Sequence, residues 1–156
     1  MSFLFNADEI FEMALKIEQN GEKFYRDSAA KVANPQAIQL LLKLADMEAD
    51  HQRVFHGMKS SLSAADKKAM TFDPANESGL YLASLANTKV FFEKDIDMSS
   101  LQGIFKAALA AEKESILFYL GMKNLVPGNL GRGQIEAIIQ EEMRHIQILG
   151  EKLLSL

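Results

Sequence analysis

The sequence predicts an all-α fold: an antiparallel four-helix bundle made of two helical hairpins, with a long crossover between the second and third helices. Three observations lead there. Four long segments carry apolar residues at helical spacing, and proline-bearing turns separate the two members of each pair. The polar residues of the first pair recur in the second, where Glu18, Tyr25, Glu48 and His51 have counterparts 94 positions on at Glu112, Tyr119, Glu142 and His145. Within each pair the turn lies midway between two Glu, fifteen residues from each. Helices rise about 1.5 Å per residue, so folding each pair back on itself brings its two Glu to one height.

The elements follow in order. The first helix runs from Ala7 to Lys31, opened by Asn6 with Glu9 three residues on, a variant of the capping box. Asn34-Pro35 reads as an N-cap with proline in the first turn, so the second helix spans Pro35 to Met58. The third runs from Ser99 to Val126, Pro127-Gly128-Asn129 makes a turn, and the fourth runs from Leu130 to Leu154. The inward seam of the first helix is Phe11, Ala14, Glu18, Gly21, Tyr25, Ser28 and Val32. That of the third is Phe105, Ala108, Glu112, Ser115, Tyr119, Met122 and Val126. The second contributes Leu41, Leu44, Glu48, His51, Phe55 and Met58, and the fourth Ile135, Ile138, Glu142, His145 and Leu149. Each is an apolar stripe interrupted near its middle by a Glu or by a Glu and a His. Residues 59–98 form a crossover too long for a turn. Ser63-Ala64-Ala65-Asp66 starts a short helix there and Glu77 to Asn87 a second, with Phe72, Tyr81, Phe91 and Phe92 as anchors or interface residues. The whole chain, 1–156, is one domain, with hairpins over 7–58 and 99–154.

Composition narrows the function. Hydrophobic residues are 48% and charged residues 24%, which excludes a disordered chain. The net charge of −4 argues against a nucleic-acid surface. With no Cys, disulfides, Cys-ligated zinc and iron–sulfur clusters are excluded within the chain. The start, Met1-Ser2-Phe3-Leu4-Phe5, lacks the basic region of a signal peptide, and no apolar run reaches the roughly 20 residues a membrane span needs. The expectation is a cytoplasmic protein.

The seam residues carry the chemistry. Glu-x-x-His places both side chains on one helix face. Two such pairs, Glu48/His51 and Glu142/His145, each follow a Glu thirty residues upstream, Glu18 and Glu112. Four carboxylates in an apolar seam repel each other and are costly to bury, and two divalent cations cancel them. The predicted metal ligands are therefore Glu18, Glu48, His51, Glu112, Glu142 and His145, with no catalytic residue beyond them. Imidazole and carboxylate donors suit iron, with manganese second. Zinc centres commonly use three ligands for one ion, and calcium and magnesium rarely take His. Tyr25 and Tyr119, two turns beyond Glu18 and Glu112 on the same face, are expected to hold ligand carboxylates across the bundle. Gly21 and Ser115, one turn beyond the same Glu, either leave room for metal and oxidant or serve close helix packing. Glu22, Asp50 and His56 lack repeat partners and stay outside the site; Glu141 either orients His145 or a neighbouring ligand or, as expected, pairs with Arg144 at the surface, and it too is left outside.

These residues resemble the ferritin-like superfamily, and most closely its rubrerythrin branch. Each half supplies a Glu, a Tyr seven residues on and a Glu-x-x-His on the next helix. The stretches Lys16-Ile17-Glu18-Gln19-Asn20-Gly21-Glu22-Lys23-Phe24-Tyr25 and Ala111-Glu112-Lys113-Glu114-Ser115-Ile116-Leu117-Phe118-Tyr119 are similar to small rubrerythrin-like proteins. Two departures stand out. Rubrerythrins proper carry a further Glu where this chain has Ser115, which puts their redox-linked ligand exchange in doubt here. They also carry a Cys-rich rubredoxin module, for which this chain has no Cys. The sequence stops at the fourth helix, without the short fifth helix of many cage-forming ferritins, so a homodimer is expected.

The resemblance implies a non-haem di-iron redox protein, an oxidoreductase. Its first expected function is rubrerythrin-like reduction of hydrogen peroxide, with re-reduction by an external electron-donor protein. The alternatives are a ferroxidase that oxidises Fe(II) with oxygen or peroxide, and a non-catalytic metal-binding or structural bundle.

Overall fold

The computed structural model describes residues 6–68, 98–126 and 128–156. Its helices are α1 (Ala7–Lys31), α2 (Pro35–Ser60), α3 (Ala64–Lys68), α4 (Leu101–Leu125) and α5 (Arg132–Leu154), with a 3₁₀ turn at Gly128–Leu130. The chain is an antiparallel four-helix bundle of two hairpins, α1 with α2 and α4 with α5, and the described residues contain no strand.

Local chemistry sets the helix starts. Asn6 accepts from the Glu9 backbone N–H at 2.8 Å, and the Glu9 carboxylate accepts from the Asn6 N–H at 3.2 Å, completing the capping box. Asn34 caps α2 by accepting from Ala37 N–H at 3.0 Å, with Pro35 behind it. Ser100 does the same for α4 through Gly103. Ser63 and Asp66 cap α3 reciprocally. The start of α5 differs: Gly131 adopts φ +105° and offers no side-chain cap. That left-handed conformation favours glycine.

The predicted ends lie within two residues of the observed ones. The second helix runs two residues further, to Ser60, and the third begins two residues later, behind its Ser100 cap. The fourth begins at Arg132 rather than Leu130, because Gly128–Leu130 tighten into the 3₁₀ turn. The expected helix at Glu77 to Asn87, and the anchors Phe72, Tyr81, Phe91 and Phe92, lie outside the described residues.

Burial matches the seams at every predicted position except Val32, which is half-buried at the α1 C-cap. The apolar side chains fall into two clusters. One holds Ile10, Phe11 and Ala14 of α1, Phe55 and Met58 of α2, Phe118 and Met122 of α4, and Ile135 and Ile138 of α5. The other holds Phe24 and Ala29 of α1, Leu41 and Leu44 of α2, Phe105 and Ala108 of α4, and Leu149 of α5. On every long helix the Glu and His residues lie between the stretches belonging to these two clusters. The bundle therefore has two apolar cores and one polar layer between them. Helix α2 ends in the first cluster, whereas α4 begins in the second, so the crossover joins opposite ends of the bundle.

Candidate metal centre

Six side chains meet in the polar layer, and none is more than 2% exposed: Glu18, Glu48, His51, Glu112, Glu142 and His145. Each long helix supplies its Glu because the apolar residues around it turn that face inward, and α2 and α5 add a His three residues on. Both imidazoles present Nδ1 to the centre. His51 Nδ1 lies 3.2 Å from Glu18, 3.6 Å from Glu48 Oε2 and 3.5 Å from Glu142 Oε1. His145 Nδ1 lies 3.3 Å from Glu112, 3.4 Å from Glu48 Oε1 and 2.9 Å from Glu142 Oε2. Glu48 and Glu142 thus each turn one oxygen toward each histidine. Glu18 serves only the His51 side and Glu112 only the His145 side.

This arrangement makes two overlapping donor groups. Glu18, Glu48, His51 and Glu142 form one, and Glu48, Glu112, Glu142 and His145 the other; within each, the donor atoms lie within 4.8 Å of one another. The two groups share Glu48 and Glu142. Their ring partners His51 and His145 stack with centroids 5.8 Å apart.

The tyrosines tie the halves together reciprocally. Tyr25 of α1 donates to Glu112 of α4, and Tyr119 of α4 donates to Glu18 of α1. Both rings are fully buried. Burial, then the charge on Glu112 and Glu18 respectively, holds both phenols well above their ordinary pKa, so each remains a donor. Ser115 turns its hydroxyl onto the Ala111 carbonyl, 3.0 Å away.

Electrostatics shows what the cluster lacks. Burial, reinforced by the charge of Glu142, pushes Glu112 up to about 8. Burial and the charges of Glu142, Glu112 and Glu18 raise Glu48 as well. Burial would also raise Glu142, but the two imidazoles beside it outweigh burial and hold it below the carboxylate range. Burial opposes charge on the histidines too; the carboxylates overcome it, raising His51 through Glu142, Glu18 and Glu48, and His145 to about 12 through Glu112, Glu142 and Glu48. Two shared carboxylate oxygens, Glu48 Oε1 and Glu142 Oε2, are buried without a hydrogen bond among the described residues. Glu142 Oε2 is at ion-pair distance from His145 but out of line for a hydrogen bond. Buried carboxylate oxygens without donors need another positive partner. A pair of divalent cations fits this donor set of oxygen and imidazole nitrogen.

Of the two readings of Glu141, the structure bears out the less expected one, a carboxylate set against a clustered histidine. Glu141 does not pair with Arg144; its Oε2 lies 2.7 Å from His51 Nε2, across the bundle on the other hairpin. Glu141 sits one residue before a seam position, so its side chain points sideways to the adjacent helix. The acidic neighbour of Glu142 was the available signal, but periodicity within one helix does not say which helix lies alongside. Asp50 pairs with Arg53 and His56 is exposed, as expected of residues outside the site, while Glu22 is half-buried within 4 Å of Arg26.

The rubrerythrin family model matches residues 9–151, a span that contains all six clustered side chains and both tyrosines. The chain belongs to the rubrerythrin family. A solved structure from Thermotoga maritima, a provisionally assigned ferritin-like diiron-carboxylate protein, is similar over 96% of this chain and 95% of its own, at 21% identity and a TM-score of 0.71. That likeness gives the rubrerythrin family member described here a ferritin-like fold. No curated protein matches the chain. No helix among the described residues is long and apolar enough to cross a membrane.

Proposed function

We propose that this chain is a non-haem di-iron protein that reduces hydrogen peroxide. One observation carries the reading: Glu48 and Glu142 each offer separate oxygens to the two histidines, which is the arrangement of a carboxylate that bridges two metals. Glu18 and His51 would complete one position, Glu112 and His145 the other. Family membership favours iron, and manganese is the second choice.

Two ferrous ions bound there would supply the two electrons that reduction of peroxide to water consumes. The chain's own contribution is support. Tyr25 and Tyr119 hold Glu112 and Glu18 in place from the opposite hairpin. The two apolar clusters keep bulk water from both ends of the layer, which strengthens every charge interaction inside it. Each turnover would consume two electrons, so an external electron-donor protein that returns them belongs to the proposal. A cytoplasmic homodimer belongs to the same proposal.

The test is oxidation of the iron-loaded ferrous protein. Fast oxidation by peroxide, slow oxidation by oxygen and two irons per chain are expected. Oxidation of many irons per chain without added reductant makes it a ferroxidase instead. Absence of oxidation by either reagent leaves a metal-binding or structural bundle.

A further inference from the structure

We infer that the two metal positions are unequal, and that Glu141 makes them so: it holds His51 in its ligating orientation, and the position bounded by Glu18, Glu48, His51 and Glu142 fills before the one bounded by Glu48, Glu112, Glu142 and His145. This rests on the metal-binding reading above and goes beyond it.

The partners facing the centre are reciprocal. Tyr25 serves Glu112 as Tyr119 serves Glu18, and Nδ1 of each histidine meets its own Glu and both shared ones. The outer nitrogens differ. A neutral imidazole that binds metal through Nδ1 carries its proton on Nε2, and that N–H needs an acceptor. His51 has one, because Glu141 Oε2 lies 2.7 Å from Nε2. That contact selects the tautomer, fixes the ring rotation and makes Nδ1 a better donor to metal. His145 has the same need unmet: its Nε2 is buried and has no hydrogen-bond partner among the described residues.

The sequence shows why. The 94-position shift that relates the ligands carries Glu141 onto Met47, immediately before Glu48 on α2. A thioether is only a weak acceptor. At the register position equivalent to Glu141, the first hairpin therefore carries a sulfur instead of a carboxylate. An unpaired buried N–H penalises the ligating orientation of His145, whereas His51 has no such penalty. Glu141 is a positioning residue: its carboxylate bonds to the outer nitrogen of His51, the one turned away from the centre.

The test is stepwise titration of the metal-free full-length protein with Co(II), followed by its d–d absorption and by calorimetry. Wild type is expected to bind two equivalents in resolved steps, the first about 10-fold or more tighter, the range typical of removing such a histidine partner. Glu141→Met gives the first half the chemistry of the second; it should weaken the first step by about 10-fold or more, leave the second unchanged and merge the two. Glu141→Gln keeps an acceptor oxygen and should restore part of the gap, a rescue that a purely packing role does not provide. Met47→Glu should tighten the second step. Two equal steps in wild type overturn the inference while leaving the metal-binding reading intact. So does a Glu141→Met variant with unchanged steps, or with both steps weakened alike and a lower metal-free melting temperature. No cobalt bound by wild type overturns the metal-binding reading itself.

Discussion

The two hairpins present nearly the same face to the polar layer and different chemistry behind it. Inside, each supplies a Glu, a Glu-x-x-His and a tyrosine that reaches to the opposite half. Outside, His51 rests on Glu141 while His145 Nε2 has no hydrogen-bond partner among the described residues. The turns differ as well, since Asn34 caps α2 with its side chain and Gly131 starts α5 in a left-handed conformation without one. Groups that must neutralise one another in a shared buried layer are held to one pattern by a common energetic demand. Groups one shell further out answer only to their own neighbours, and there the halves diverge.

The most direct way to break the inner symmetry is to remove a shared carboxylate. Glu48→Ala and Glu142→Ala should each weaken both metal positions, by more than the roughly 100-fold that outer partners contribute. Glu18→Ala and Glu112→Ala should each weaken only one. Elemental analysis of the purified variants decides it, and wild-type metal content in both shared-carboxylate variants refutes bridging.

Metal removal and pH sharpen the comparison next. Ligand at about 1,000 times its Kd adds about 4 kcal/mol, which is about 8–16 °C in melting temperature for a chain of this size. The metal-free protein should respond to pH in a defined direction. Glu112 is raised from an ordinary 4.5 to about 8, so its contribution to stability is complete below pH 4.5 and disappears as pH rises through about 8. His145, raised from 6.5 to about 12, acts with the same sign over a higher range. Glu142 acts oppositely, its contribution being lost on acidification below 4.5. Between pH 5 and 8.5 the metal-free melting temperature should therefore fall. Metal binding releases the protons on Glu48, Glu112 and the imidazoles, so affinity should rise over the same interval. Calorimetric scans of metal-free and loaded protein across that range would show parallel curves if the buried groups did not couple to metal.

The tyrosines offer a smaller, reciprocal test. Tyr25→Phe and Tyr119→Phe each remove a hydrogen bond to a carboxylate, worth about 1.5–3 kcal/mol. Both should retain metal. Tyr25→Phe should disturb the position served by Glu112 and Tyr119→Phe the one served by Glu18, read as a selective change in one Co(II) binding step. Effects confined to the tyrosine's own helix partner would contradict the cross-bundle contacts.

The turn comparison carries the smallest expected effects. Asn34→Ala loses a cap and should cost about 1 kcal/mol. Gly131→Ala forces a Cβ into a left-handed conformation with Met58 Cε 2.5 Å away, and should cost on the order of 1–2 kcal/mol. Denaturant titration measures both, and neither should change metal stoichiometry.

What the sequence determined by itself is the part governed by periodicity and length. Phe11, Ala14, Glu18 and Tyr25 share a face because a helix repeats every 3.6 residues, and equal arms on either side of each turn bring Glu18 level with Glu48 and Glu112 with Glu142. The repeat then predicts one layer, and the buried positions bear it out. Val32 escaped because a seam loses its neighbour where the helix ends. The tertiary structure alone decided what depends on how the hairpins lie against each other. It paired each tyrosine with the opposite Glu, divided the oxygens of Glu48 and Glu142 between two histidines, and set Glu141 against His51 rather than Arg144. Helical spacing specifies direction around one axis only. Which side chain waits in that direction is set by packing between axes, and no spacing within a single helix encodes it.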